Sequence, residues 1–378
     1  MALAGKLNYE QLQNVANYIR RSVNALAGTA KALERATRRK GRCPKAKRSW
    51  LKTQLETIST PIAVEPRAAI SSPAGTEVLD LSDSSWSIDQ LPSLLDRIGQ
   101  ARTDTKTLEI RLGGFTYATT LAVLAQWILA QGLVGRYRVK CPPQMDRYLE
   151  RISFDRALKD REIRISPDFM DWAVGLTRIN RDLPTEKVTK KIVDIIDTFV
   201  TPEPEVRQAL HILLGEMIEN VHRHASAEVD GFAVAQVYPQ RLKMGIALVD
   251  AGIGVRRSLA EGEPPIEMIG HNADEQALRK ACELYVTSKP SRHSGYGLYL
   301  LRETVARNRG TFALSSGAAT ITGYLRNQST VIEAQTHAPW QGTIVNLILD
   351  LHQSLPILDV YGAMPAPEGY DTDDLFVD

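Results

Sequence analysis

Leu248-Val249-Asp250-Ala251-Gly252-Ile253-Gly254-Val255 decides how the carboxy-terminal half of this chain is read. It closes an alternating pair, Phe232 to Tyr238 and Leu242 to Val249, joined at Pro239-Gln240, which reads as a strand hairpin. An acid at the end of a buried strand can accept a hydrogen bond from an exocyclic amine. The glycines at 252 and 254 let the backbone turn sharply and approach a ligand.

Two further stretches flank it. Upstream, Glu216-Met217-Ile218-Glu219-Asn220-Val221-His222-Arg223-His224 lies in a helix expected from about Val206. Glu216, Asn220 and His224 are four apart, so they share one face, beside an apolar face of Leu210, Leu213, Leu214, Met217 and Val221. Such a stripe can offer an amide oxygen to a metal and a carboxylate to a water. Downstream, Ser294-Gly295-Tyr296-Gly297-Leu298-Tyr299-Leu300 opens a helix expected to run to about Arg309. Glycine-rich backbone at a helix amino terminus points free N–H groups at an anion. Gly342-Thr343-Ile344-Val345-Asn346-Leu347 reads as a closing strand. Each piece alone is common; the ordered combination is specific.

In that combination residues 183–351 resemble the GHKL superfamily of gyrase-type topoisomerases, mismatch-repair ATPases, a heat-shock chaperone, histidine kinases and anti-sigma-factor serine kinases. The resemblance implies an α/β two-layer sandwich, the Bergerat-type ATP-binding fold, with a mixed sheet and helices on one face. It implies ATP and Mg²⁺ as cofactors, with Asn220 on the metal and Asp250 on the adenine amine. Gly252 and Gly254 would shape the nucleotide floor, Gly295, Tyr296, Gly297 and Leu298 the phosphate turn, and Thr343 the adenine side. Glu216 matches the acid that polarises an attacking water or hydroxyl. His224 stands where many members place a polar residue. Arg256 to His293 would be the lid, in which Lys289, Arg292 and His293 either reach phosphate or face solvent.

Residues 77–165 read as a smaller α/β domain: strands at Val78–Leu81, Leu108–Leu112 and Tyr137–Cys141, helices at Ile88–Ile98, Thr120–Gln131 and Met145–Leu158. This layout resembles the STAS-like domains related to anti-anti-sigma factors, which implies a docking surface for a protein partner. The loop Phe115-Thr116-Tyr117-Ala118-Thr119-Thr120 matches no phosphorylation motif closely enough to carry a site over. Glu186 to Val200 reads as a helix that could bridge the two halves.

Charge is unevenly spread. Of 378 residues, 1–58 carry 13 Lys or Arg against 3 acids, whereas 327–378 carry 8 acids and no Lys or Arg. Leu7 to Leu33 has helical apolar spacing, and the run at Arg38–Arg48 suits either solvent or a nucleic acid. Residues 59–76 read as a linker and 352–378 as an acidic tail. Three scattered cysteines, Cys43, Cys141 and Cys282, fit neither a disulfide framework nor a zinc spacing. With no long apolar run and no signal-peptide pattern, no membrane contact and a cytoplasmic location are expected.

The first of seven histidines is His211, already inside the Asn220 helix, which disfavours a self-phosphorylating histidine kinase. The remaining expectations are a regulatory ATPase or serine/threonine kinase acting in bacterial signalling, or an ATP-gated binding module with little turnover. A homodimer and a nucleic-acid grip through the basic head stay open as partner modes.

Overall fold

The computed structural model describes residues 75–160, 172–179, 185–224, 230–288 and 295–365, with the side chains of 222–224 excepted. The expected amino-terminal helix, the basic run and nearly all of the 59–76 linker lie outside them. Ser71–Asp378 forms one compact unit. No described helix is long and apolar enough to cross a membrane.

Strands β1 (Thr76–Leu81), β2 (Thr107–Leu112) and β3 (Tyr137–Lys140) form a parallel sheet in sequence order. They are joined by α1 (Leu91–Gln100) and α2 (Ala118–Ala130). Two right-handed crossovers that step the same way put both helices on one face. The other face is charged: Arg111 pairs with Asp80 and Glu109, and Glu109 also takes Arg138. The helix expected over Met145–Leu158 is two, α3 (Pro143–Arg151) and α4 (Phe154–Lys159). The break falls at Ser153, whose φ of 64° is left-handed.

Next come β4 (Ala173–Ile179), α5 (Thr185–Val200), α6 (Pro204–His224), β5 (Gly231–Tyr238) and β6 (Lys243–Val249). Then follow α7 (Val255–Ala260), α8 (Ala273–Ala281), α9 (Gly297–Arg307), β7 (Thr311–Arg326), β8 (Ser329–Asp350) and α10 (Ile357–Gly362). The five strands pair antiparallel throughout, in the order β4-β5-β6-β8-β7. The expected mixed sheet is therefore an antiparallel one, because β5–β6 and β7–β8 are hairpins and the helical connections add no parallel neighbour.

Alternation along β5 and β6 sends apolar side chains both ways. Ala233, Ala235, Val237, Ile246 and Leu248 pack with α5, α6 and α9. Phe232, Val234, Ala247 and Val249 pack with α1 and α2 and, through them, with the inner face of the parallel sheet. The expectation of helices on one face alone is thus corrected: both faces are covered. In α2 every residue from Ala118 to Ile128 is buried, as a helix apolar nearly all round must be. Gly245 lies directly against α2, where a Cβ would be in van der Waals contact with Thr119 Cγ2 at 3.4 Å. On the far side Asp96 of α1 accepts from the Ala338 N–H at 2.6 Å.

The three threonines around the start of α2 are internal. Thr116, Thr119 and Thr120 are buried, and Thr120 Oγ1 donates to the Trp86 carbonyl. None offers a surface hydroxyl for modification.

Gln126 is also fully buried in α2, and neither of its amide atoms has a hydrogen-bond partner among the described residues. An unpaired buried amide costs about 1–3 kcal/mol. Gln126→Leu should therefore raise the unfolding free energy by about that amount in urea titrations; a lower midpoint would mean the amide is satisfied in solution.

Candidate functional site

The three motifs meet at one cavity. Helix α6 buries Leu210, Leu213, Leu214, Met217 and Val221 against the sheet. Its four-residue spacing then sets Glu216 and Asn220, both half-buried, along the margin that faces the cavity. Strand β6 ends at Val249, delivering Asp250 to the floor. Gly254, Gly295, Gly297, Leu298 and Thr343, also expected, join them around a space of ≈ 220 Å³.

Asp250 is held tightly. Its Oδ1 accepts from the Gly252 N–H at 2.8 Å and the Thr343 N–H at 3.2 Å. Its backbone N–H donates to the Thr343 carbonyl, and its carbonyl accepts from the Trp340 indole at 3.1 Å. Gly342, at φ 98°, makes this crossing possible, because a Cβ there would fall 2.2 Å from the Asp250 carbonyl oxygen. Oδ2 accepts no bond among the described residues, which leaves it as the acceptor for a ligand N–H. Burial pushes the carboxyl from its ordinary 3.8 up to about 7, against the pull of the two N–H donors.

The opposite wall is the turn into α9. Gly295 has φ 72°, and a Cβ would stand 2.7 Å from the Tyr285 carbonyl carbon and 2.8 Å from the Val286 nitrogen. Gly297 opens the helix so close to α6 that a Cβ would be 3.1 Å from Glu216 Oε2. A carboxylate thus borders the positive end of an eleven-residue helix whose first N–H groups lack intrahelical partners. That arrangement can bind an anion on the turn and take a proton beside it.

Not every expected residue lines the space. Gly252 works from beneath, through Asp250, and Tyr296 turns its ring to Tyr361, at a centroid distance of 5.9 Å. The His224 side chain and Lys289, Arg292 and His293 fall outside the described residues. Val286, Thr287, Ser288, Ser258, Leu314 and Val345 also line the cavity, and no motif marked them. Among the described residues no group of three His, Cys, Asp or Glu could hold a metal ion.

No family model matches the chain, and no curated protein matches it.

The raised Asp250 pKa has a definite sign in stability. Below 3.8 the carboxyl is protonated in both states and costs nothing. Between 3.8 and about 7 the unfolded chain ionises while the folded one holds its proton, so stability falls as pH rises and levels off above about 7. Asp250→Asn should remove this slope, on the order of 4 kcal/mol in full at about 1.4 kcal/mol per unit. Parallel wild-type and variant stability curves over that range would show that Asp250 is not the group responsible.

Proposed function

We propose that the carboxy-terminal half is a GHKL-type domain that holds Mg-ATP, and that the protein hydrolyses it or passes its γ-phosphate to a partner. The observation that carries this is the convergence of Glu216, Asn220, Asp250, Gly295, Gly297 and Thr343 on one cavity. These residues come from separate stretches of sequence, and their chemistry suits the two ends of one nucleotide.

The residues fit the implied cofactor. Asp250 has one carboxylate oxygen fixed by two backbone N–H groups and the other available for the adenine amine. Thr343 lies beside it. At the other end, the N–H groups of the Gly295–Gly297 turn suit phosphate oxygens, and the Asn220 amide oxygen is the ligand this chain would lend to Mg²⁺. Bound Mg²⁺ would supply neutralisation of phosphate charge. Glu216 would accept the proton from a water or hydroxyl and hold that nucleophile in place. An ionised Asp250 is the better acceptor, so nucleotide affinity should strengthen as pH rises through about 7.

The neighbouring layer favours a regulatory role. It shares its core with the rear of the five-stranded sheet, and among the motifs read in it none supplies a nucleophile or metal site. Nucleotide-dependent changes in the sheet would reach it directly. STAS-like docking of a protein partner would then use the charged outer face, since α1 and α2 are already covered.

Asn220→Ala should abolish Mg²⁺-dependent ATP binding in calorimetry; an unchanged affinity would remove Asn220 from the metal. Glu216→Ala should keep ATP but release or transfer at least about 100-fold less γ-phosphate, the low end for a general base. With γ-labelled ATP, free phosphate marks hydrolysis and labelled protein marks a kinase. Label that stays on ATP in both wild type and variant would leave an ATP-gated binding module.

A further inference from the structure

The carboxy-terminal segment, expected as an acidic tail from 352, turns back into the fold before residue 366. Its root is fixed: Leu355, Ile357 and Val360 are buried in the core under α6 and α9. The Asn308 amide donates to the carbonyls of Asp350, Gln353 and Ser354. From that root α10 packs against both α6, which carries Glu216 and Asn220, and α9, whose first turn includes Gly297.

Two contacts reach residues adjacent in sequence to the cavity lining, Tyr285 before Val286 and Tyr296 between Gly295 and Gly297. The Tyr285 hydroxyl donates to the Pro365 carbonyl. The Tyr361 ring meets the Tyr296 ring edge-on, with planes at 81°. Burial and then the nearby Tyr361 hold the Tyr285 phenol above its ordinary value.

What these contacts hold is unusual backbone. Tyr285 has φ 63° and Gly295 has φ 72°, and the two left-handed residues lie back to back. A bulky residue at positive φ costs free energy and persists only where its surroundings over-determine it. Immediately after it, Val286, Thr287 and Ser288 line the cavity; immediately after Gly295, Tyr296 caps α9. Both strands of this crossing are thus tied to the same carboxy-terminal segment.

We propose that Leu355–Pro365 is a clasp on the anion-binding turn, with Tyr361 a positioning residue that keeps Gly295–Gly297 set against Glu216. Tyr361 touches no ligand position itself. It acts through the Tyr296 ring. The affinity part of the test rests on the nucleotide reading above.

The test uses the full chain with Tyr361→Ala and Tyr361→Phe, measuring Mg-ATP affinity by calorimetry and backbone hydrogen exchange without nucleotide. Loss of one edge-to-face ring pair should weaken binding by about 2- to 12-fold in the alanine variant. Exchange should quicken at 295–298 and 286–288 while β5 and β6 stay protected. The phenylalanine variant, which keeps the ring, should match the wild type in both. Wild-type affinity and exchange in the alanine variant, or exchange that rises evenly across the unit, would overturn the clasp. If the wild type binds no nucleotide, the proposed function fails, and the exchange pattern alone still decides whether the segment holds the turn.

Discussion

A sheet that is apolar on both faces cannot be left half covered, and this constraint organises the protein. In β6 every residue from Met244 to Val249 is buried. One face is satisfied by α5, α6 and α9, of which α6 and α9 also line the cavity. The other requires a second cover, and α2 supplies it while serving as the crossover helix of the parallel sheet. The parallel layer and the rear of the five-stranded sheet thereby share one core. Removing either cover would expose the central strands.

The site inherits its rigidity from the same arrangement. Asp250 leaves the buried end of β6 and is pinned by backbone from β8, its neighbour in the sheet. Trp340, which packs in the rear core, reaches the Asp250 carbonyl with its indole. A side chain from the rear cover side thus helps to set the floor of the front cavity. The carboxylate that is costly to ionise there is held where an N–H donor would relieve that cost.

Much of this was legible in the sequence because it is written locally. The α6 stripe, the β5–β6 hairpin, Asp250 with its glycines and the Gly295 turn each carry their own periodicity or turn chemistry. Three strands, α1 and α2 of the smaller layer were placed by apolar spacing to within a few residues. What escaped was set at a distance. Strand β4 is a short apolar run whose role depends on pairing with β5, more than fifty residues later in the chain. The β7–β8 hairpin runs beyond the sheet, where its alternation is blurred by bulges near Gly317. Helix α8 sits inside a stretch expected as a lid, and α10 inside a stretch expected as a tail. Both are short, and helices of that length hold only where tertiary packing supports them. Coverage of the sheet's rear had no sequence signal beyond the fully apolar character of α2, which fits an isolated small domain equally well.

The bond between Asp96 and Ala338 spans 242 residues. On a ribosome that separation is a delay. The parallel layer is synthesised first, yet α2 finds its second partner only when β5 and β6 emerge, and α1 finds β8 later still. Until then the nascent chain carries a helix with no side suited to water, a species prone to wrong association and slow to mature because its contacts are non-local. The layer made first is thus the layer completed last.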